Sequence, residues 1–443
     1  MFMVIRPIIR LLLRILFRFE VRGLEHCRET GGRAVAIVNH ISFIDGILIC
    51  MALPEKPFCV IDRDVAGIWW IKPIISLVDH CLVDQAHPFG LRRVIKAAQS
   101  GQMVVVFPES RISLTGSLMK CYGGAAFVAE KVGLPILPIH IDGAQLSKFS
   151  YLEGIIKRRL FPKITASIQS PRPVPSSMVR NNRALFLFDI LTDARLGSVK
   201  NQSLISLIRR AADQVGHDKL ALVDKDGVQL SYGKLLKQIS KQPANHDQSI
   251  VELLVTIADA RRELSQAEES SPRVEINEAE VIRAANGLGA AWDICPGDIV
   301  LNTTSLNNGF GVIAGLILPL IQGATIFQFK KQQNKRSLSE TIYDANSTVL
   351  IIDDNAFSKL KPAHSYDFHK LRMIVSSSPK PTAGFPPVPY YRAIGGDLNG
   401  LPIAAQSPLW NDPDLRFRQL RSIDPVSAIR FDDDGFSVDV FQE

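Results

Sequence analysis

Near its start the chain has no apolar run long enough to cross a bilayer. A span needs about 20 mostly uncharged residues, and Arg6, Arg10, Arg14 and Arg18 break every such window between Met1 and Glu20. The same arginines interrupt the apolar core of a signal peptide, and no small-residue cleavage site follows, so a cleaved leader is not expected. Cysteine is sparse: six in 443 residues, at 27, 50, 59, 81, 121 and 295, with no CxxC or CxxH spacing. They read as reduced core thiols, with neither a zinc site nor a disulfide framework implied. No recognisable nucleic-acid-binding module and no interleaving of aromatic with basic residues appears, so nucleic acid is not an expected partner. Acidic residues are scarce in one half only. Residues 1–200 carry 26 Lys and Arg against 15 Asp and Glu, whereas the remainder carries 25 against 29. A basic half suits an anionic bilayer and an acidic acyl carrier protein equally well, and a solvated basic surface is the plainer alternative.

What the first residues do contain is periodic. At about 100° per residue each step of four drifts by roughly 40°, so the four arginines fill an arc of about 120° on an otherwise apolar helix. The pattern predicts an interfacial helix over 1–22, with Arg6, Arg10, Arg14 and Arg18 turned toward anionic phosphates. A helix docked on its own domain is the alternative.

The most informative stretch begins at the apolar run Ala34-Val35-Ala36-Ile37-Val38, continues as Asn39-His40-Ile41-Ser42-Phe43-Ile44-Asp45, and leads into Gly46-Ile47-Leu48-Ile49-Cys50-Met51. It reads as a buried strand that delivers a His and an Asp to the mouth of a helix. An alcohol is a poor nucleophile at neutral pH, and acyl transfer to it needs a base within hydrogen-bond reach and a group that orients the base. His40 and Asp45 can supply both. Ser42 lies where a helix cap would sit, and capping alone would account for it.

A second block, Val104-Val105-Val106-Phe107-Pro108-Glu109-Ser110-Arg111, reads as a hydrophobic strand that hands Glu109 and Arg111 to a loop, the edge at which α/β sheets bind ligands. Then come Ser113-Leu114-Thr115-Gly116-Ser117-Leu118-Met119-Lys120, the proline-bracketed run Leu134-Pro135-Ile136-Leu137-Pro138-Ile139, and Lys157-Arg158-Arg159-Leu160-Phe161-Pro162.

In this order the segments resemble the glycerophospholipid acyltransferases, whose NHxSxxD signature (the HX4D motif) places a catalytic His and an orienting Asp. The resemblance covers roughly residues 1–200, and is strongest to the bifunctional 2-acylglycerophosphoethanolamine acyltransferase/acyl-ACP synthetase of Gram-negative bacteria. It implies catalysis by His40 and Asp45. It also implies substrate binding by Arg111 and Glu109, the family's phosphate block, with Ser110, Lys120, Asn39 and Ser42 as further substrate contacts. Two departures stand out. Ser110 replaces the family's usual Gly, adding a Cβ where the backbone takes φ > 0 or approaches phosphate closely. Cys81-Leu82-Val83-Asp84-Gln85 ends in Gln where the wider family has an Arg, a change the narrower branch shares.

Beyond a Pro/Ser-rich stretch, Pro171 to Ser177, and a helix-like run from Arg183 to Ala194, the second half resembles adenylate-forming enzymes. Ala221 to Tyr232 looks like their opening strand pair, with Asp226-Gly227 as the hairpin turn. Asn307-Asn308-Gly309-Phe310-Gly311 followed by an apolar helix from Val312 to Ile321 looks like a later segment. The chemistry is thin. A phosphate-cradling loop is missing between Leu253 and Asp298, where Ser265 to Pro272 stands instead. Ser376-Ser377-Ser378-Pro379-Lys380-Pro381 reads as a surface turn. Asn399 replaces the metal-binding Glu, Pro425-Val426-Ser427 replaces the ribose-binding motif, and the chain stops at Glu443, short of the subdomain that bears the family's catalytic Lys.

The expected fold is α/β. An interfacial helix (1–22) precedes an acyltransferase domain (23–170), a linker with a helical segment (171–217) and a degenerate adenylate-forming domain (218–443). The expected activity is acyl transfer from acyl-ACP or acyl-CoA to a lysophospholipid hydroxyl, with no bound cofactor and no metal, at the cytoplasmic face of a bacterial inner membrane. A non-catalytic lipid- or carrier-binding scaffold, or an ATP-dependent acyl-activating enzyme, are the other readings.

Overall fold

The computed structural model describes residues 2–62, 66, 75, 78–83, 89–175, 182–199, 202–241, 250–258, 278–306, 309–329, 338–352, 356, 368, 370–376, 388, 390–395, 402–406, 417–419, 427–432 and 435–440. It divides into two compact units, Met1–Lys200 and Asn201–Glu443.

The first unit is a seven-stranded sheet in the order β1-β7-β6-β2-β5-β3-β4. Its strands are β1 (Glu20–Arg22), β2 (Val35–Val38), β3 (Phe58–Asp62), β4 (Asp79–Val83), β5 (Val104–Val106), β6 (Ile136–Asp142) and β7 (Thr165–Ile168). All neighbours pair in parallel except β6 and β7. β2 lies between β5 and β6 and is buried along its whole length. That is why Val35-Ala36-Ile37-Val38 reads as continuous apolar text rather than an alternation: both faces of a central parallel strand are covered. Five of the six cysteines are buried and the sixth, Cys295, is half-buried.

Helix α1 (Phe2–Leu16) docks on this unit through Leu13, and Phe17 and Phe19 follow it into the same core as Leu48, Ile49 and Ile139. After it, β1 forms an edge of the sheet beside β7, and helix α2 (Leu24–Glu29) follows. The segment from α1 to β1 is therefore anchored in the first core through Leu13, Phe17 and Phe19.

The segment expected as a linker is divided. The helix Asn182–Val199 buries Leu187, Phe188, Leu191 and Ala194 in the first unit, and Arg183 ties it to Glu130 at 2.9 Å. The helix Leu204–Val215, capped by Ser203, belongs to the second unit. Pro and Ser announced a connection at 171–177, but the apolar face that follows packs like any core helix.

The second unit is a nine-stranded sheet in the order β16-β15-β14-β13-β12-β10-β11-β8-β9. β8 (Leu220–Val223) and β9 (Gln229–Ser231) form the expected hairpin, with Gly227 at φ +83° and Asp224 accepting the amides of Asp226 and Val228 at 2.9 and 2.8 Å. β10 (Ile299–Asn302), β11 (Thr325–Gln328), β12 (Val349–Ile352), β13 (Met373–Ser376) and β14 (Tyr390–Gly395) are parallel, whereas β15 (Pro402–Gln406) and β16 (Phe417–Gln419) close the edge antiparallel. The expected helix after Phe310 forms over 309–322, with a π turn at Ile313–Ile317. Residues 84–85, 176–177, 265–272, 307–308, 377–381, 396–399 and 425–426, singled out in the sequence, lie outside the described residues.

Candidate active site

Two parallel neighbours deliver the site. β2 ends one residue before Asn39, and β5 ends at Val106, so His40 and Glu109 leave the sheet at the same carboxyl edge. Helix α3 (Asp45–Ala52) begins five residues after His40.

His40 Nδ1 lies 3.0 Å from Asp45 Oδ2, and the same oxygen accepts the backbone N–H groups of Ile41 at 2.7 Å and Ser42 at 2.8 Å. The Ser42 hydroxyl donates to the other oxygen, Oδ1. Asp45 is fully buried, while the His40 side chain keeps 18% of its surface open. A buried carboxylate at the first turn of a helix is compatible with the N-terminal end of the dipole, and here four donors are aimed at it. With Nδ1–H donated to Asp45, Nε2 carries the lone pair that can accept a proton. The ring stacks on Phe107 with centroids 4.3 Å apart and planes at 28°.

Ser42 does not cap the helix. The N-cap position is Ile44, which makes no side-chain cap bond. Ser42 sits three residues before Asp45 and orients its carboxylate, because the loop turns back over the helix start.

Glu109 is buried, and its two oxygens are occupied by backbone. Oε1 accepts the His40 N–H and Oε2 accepts the Met119 N–H, each at 2.7 Å. It thus ties the His40 loop to the 113–121 loop, and its reach toward a ligand is correspondingly restricted. The His40 carbonyl accepts from Ser113 N at 2.8 Å, making the tie reciprocal. Asn39 is also internal: its amide exchanges two bonds with the main chain of Ile141, at 2.9 and 2.7 Å, extending the β2–β6 ladder past the end of the strand. Both residues were expected among the substrate contacts, and both face the backbone instead. The reason is that a parallel sheet edge leaves amides and carbonyls that must find partners.

Arg111 and Lys120 are exposed, and Lys120 Nζ is 6.0 Å from the Tyr122 ring centroid. Ser110 adopts φ +54°, the left-handed conformation that favours glycine. The departure noted in the sequence falls on a position that requires φ > 0.

The arginines of α1 do not all turn outward. Arg6 is buried, and its guanidinium donates to the carbonyls of Leu53 and, at 2.6 Å, Pro54; Arg10 reaches the Ala52 carbonyl at 3.4 Å. These carbonyls end α3, where unpaired acceptors and the negative end of the dipole attract cations. Burial, with Arg10 nearby, lowers the Arg6 pKa. Arg14 and Arg18 are exposed, and Arg18 donates to Phe161 O at 3.3 Å. On the opposite side Ile8, Leu11, Leu12, Ile15 and Leu16 face outward. The expected orientation is thus corrected for Arg6: the side of α1 that bears it faces the domain, and an apolar side faces away.

Sequence reasoning missed the roles of Phe107, Ser113 and the Met119 amide. Phe107 lies within a noticed motif, yet its stacking needs β2 and β5 to be neighbours, which no local pattern states.

A model of the acyltransferase family matches residues 18–142. The chain is 27% identical over 131 residues to the 1-acyl-sn-glycerol-3-phosphate acyltransferase of Cocos nucifera, which is 28% of this chain and 42% of that protein. It is 26% identical over 170 residues to the enzyme of the same name from Pseudomonas aeruginosa, 35% of this chain and 63% of that one. The chain therefore spans less than two thirds of the length of these relatives. Among solved structures it is similar to the 1-acyl-sn-glycerophosphate acyltransferase of Thermotoga maritima, with 18% identity, 44% of this chain and 81% of that chain covered, and a TM-score of 0.35. It is also similar to PA1221, a protein containing adenylation and PCP domains, with 11% identity, 54% and 68% covered, and a TM-score of 0.35. The stretch that matches the acyltransferase family is the one that holds His40, Asp45, Glu109 and Arg111.

Proposed function

We propose that the first unit transfers a fatty acyl group from an acyl thioester to the hydroxyl of a lysophospholipid at a membrane surface. The observation that carries this reading is a partly open His40 whose Nδ1 is held by a fully buried Asp45. The names of the relatives make lysophosphatidate the first acceptor to test, and acyl-ACP and acyl-CoA are the candidate donors. His40 Nε2 takes the hydroxyl proton as the oxygen attacks the thioester carbonyl carbon, and Asp45 stabilises the imidazolium. The tetrahedral adduct collapses with cleavage of the C–S bond, and the imidazolium returns the proton to the thiolate. Arg111 and Lys120, exposed beside the site, are the cations available for the headgroup phosphate.

The apolar side of α1 enters the bilayer interface, at the cytoplasmic face of the inner membrane, with Arg10 and Arg14 flanking it. The second unit is a catalytically silent relative of adenylate-forming domains, as in a reduced form of the bifunctional branch, so the acyl donor arrives ready-made. A non-catalytic scaffold is the competing reading, favoured by the left-handed Ser110. The deciding experiment is transfer of labelled acyl groups from each donor to a panel of lysolipids in micelles, wild type against His40→Ala. Turnover that disappears in the variant supports the enzyme; lysolipid binding without turnover in the wild type supports the scaffold.

A further inference from the structure

The connection between β6 and β7 leaves large apolar side chains uncovered. Leu160 is 60% exposed, Tyr151 52%, Phe161 47% and Phe149 38%. Single exposed residues of this kind are ordinary, but these four share one short connection and sit in a basic frame. Residues 147–163 contain Lys148, Lys157, Arg158, Arg159 and Lys163 against the single acid Glu153.

The two arms of the connection are held side by side. The Arg158 guanidinium pairs with Glu153 and donates to the carbonyls of Lys148 and Ser150 at 3.3 and 3.2 Å, while Arg159 N donates to Leu146 O at 2.7 Å. One end touches the foot of α1: the Phe161 ring meets Phe17 edge-on with centroids 5.5 Å apart. The other end touches the catalytic segment. Tyr151 meets Phe43 edge-on at 5.1 Å, and Phe43 N donates to Phe149 O at 3.0 Å, three residues beyond His40. An apolar and aromatic strip therefore runs from the helix to the catalytic loop.

We propose that Phe149, Tyr151, Leu160 and Phe161 form a second membrane contact, which enters the interface of an anionic phospholipid bilayer beside α1 and brings the His40 loop to headgroup level. This rests on the membrane-surface reading above. Two observations select the bilayer: the basic frame matches anionic headgroups, and the half-exposed Phe161 meets Phe17 directly after α1, whose outward side is apolar. The Tyr151 ring, with its polar hydroxyl edge, suits that depth, and the arginine and lysine stems extend to phosphate around it.

The test uses the full chain with vesicles of phosphatidylethanolamine and phosphatidylglycerol, containing phospholipids brominated along the acyl chain. Leu160→Trp and Ile15→Trp each add emission to that of the native tryptophans, and quenching of the added emission reports insertion. Quenching at position 160 is the expected result. Quenching at 15 without quenching at 160 overturns this contact and leaves the α1 reading standing; quenching at neither overturns both. Leu160→Glu should weaken vesicle partitioning by roughly tenfold while acyl transfer to a micellar lysolipid stays at the wild-type rate. Unchanged partitioning, or lost binding of an acidic acyl carrier protein in its place, overturns the assignment to a bilayer.

Discussion

The two units present their parallel strands in the same way and finish them differently. At the carboxyl ends of β2 and β5 stand an imidazole, a buried carboxylate that orients it, and a second buried carboxylate that holds both loops. At the ends of β10 and β11 stand amides and a hydroxyl. Asn302 Nδ2 donates to Gln328 Oε1 at 3.0 Å, and Asn302 Oδ1 accepts the Thr304 N–H at 3.1 Å and its hydroxyl at 2.6 Å. All three residues are buried, and helix 309–322 presses onto them so closely that a Cβ on Gly315 would strike the Asn302 side chain. A sheet edge becomes reactive when a titratable nitrogen stays open to a ligand. It becomes structural when neutral polar groups bond to one another and the helix seals them.

That contrast can be broken from either side. The largest effect is expected from His40→Ala, which should lower turnover about a thousandfold with little change in unfolding temperature, because it removes a proton acceptor from a partly open position. Glu109→Gln should cost roughly 1–3 kcal/mol in urea unfolding, since one of two buried N–H groups then faces an amide donor. Turnover should fall with it as the His40 loop loosens, while KM for the lysolipid moves less. A large KM rise at unchanged stability would instead make Glu109 a substrate contact.

Asn302→Ala should destabilise the second unit by about 2 kcal/mol, leaving Thr304 and Gln328 with unmet bonds, and acyl transfer measured well below the transition should not change. Loss of transfer would mean that the second edge serves the first.

A comparable cost, about 2 kcal/mol for leaving a buried acceptor without its donor, is expected for Arg372→Ala, again in the second unit. Asp298 is buried, which by itself raises its pKa, but the Arg372 guanidinium at 2.6 and 2.9 Å, with its charge, brings it below the usual carboxylate value. A depressed carboxyl contributes stability fully present above its unfolded pKa of about 4 and lost as pH falls through the folded value. The gap between wild type and variant in urea midpoints should therefore narrow below about pH 4. The smallest effect is expected from Ser110→Gly, a gain of about 1 kcal/mol from relieving the left-handed backbone. Tighter lysolipid binding in the same variant would mark Ser110 as a brake on headgroup affinity.

Much of the first sheet was legible because central parallel strands announce themselves: Ala34 to Val38 and Val104 to Val106 are apolar runs bounded by turns. The hairpin at Asp226-Gly227 was legible for the same local reason. The partners of Glu109 and Asn39 were not. Glu109 meets His40 N across 69 positions and Asn39 meets Ile141 across 102, and such pairings exist only once β5 and β6 lie on either side of β2. The helix-like run from Arg183 to Ala194 forms as the helix 182–199, but its place in the first core rather than in a linker was not legible, because it rests on packing against that unit.

By itself the sequence determined the strand, loop and helix that carry His40 five residues before Asp45, because that spacing is closed by local hydrogen bonds at a helix start. It also determined that α1 is amphipathic. Only the tertiary structure decided which side of α1 looks outward. The free carbonyls at the end of α3 compete for Arg6 with any phosphate outside, and a buried acceptor within reach binds a guanidinium more strongly than a solvated one.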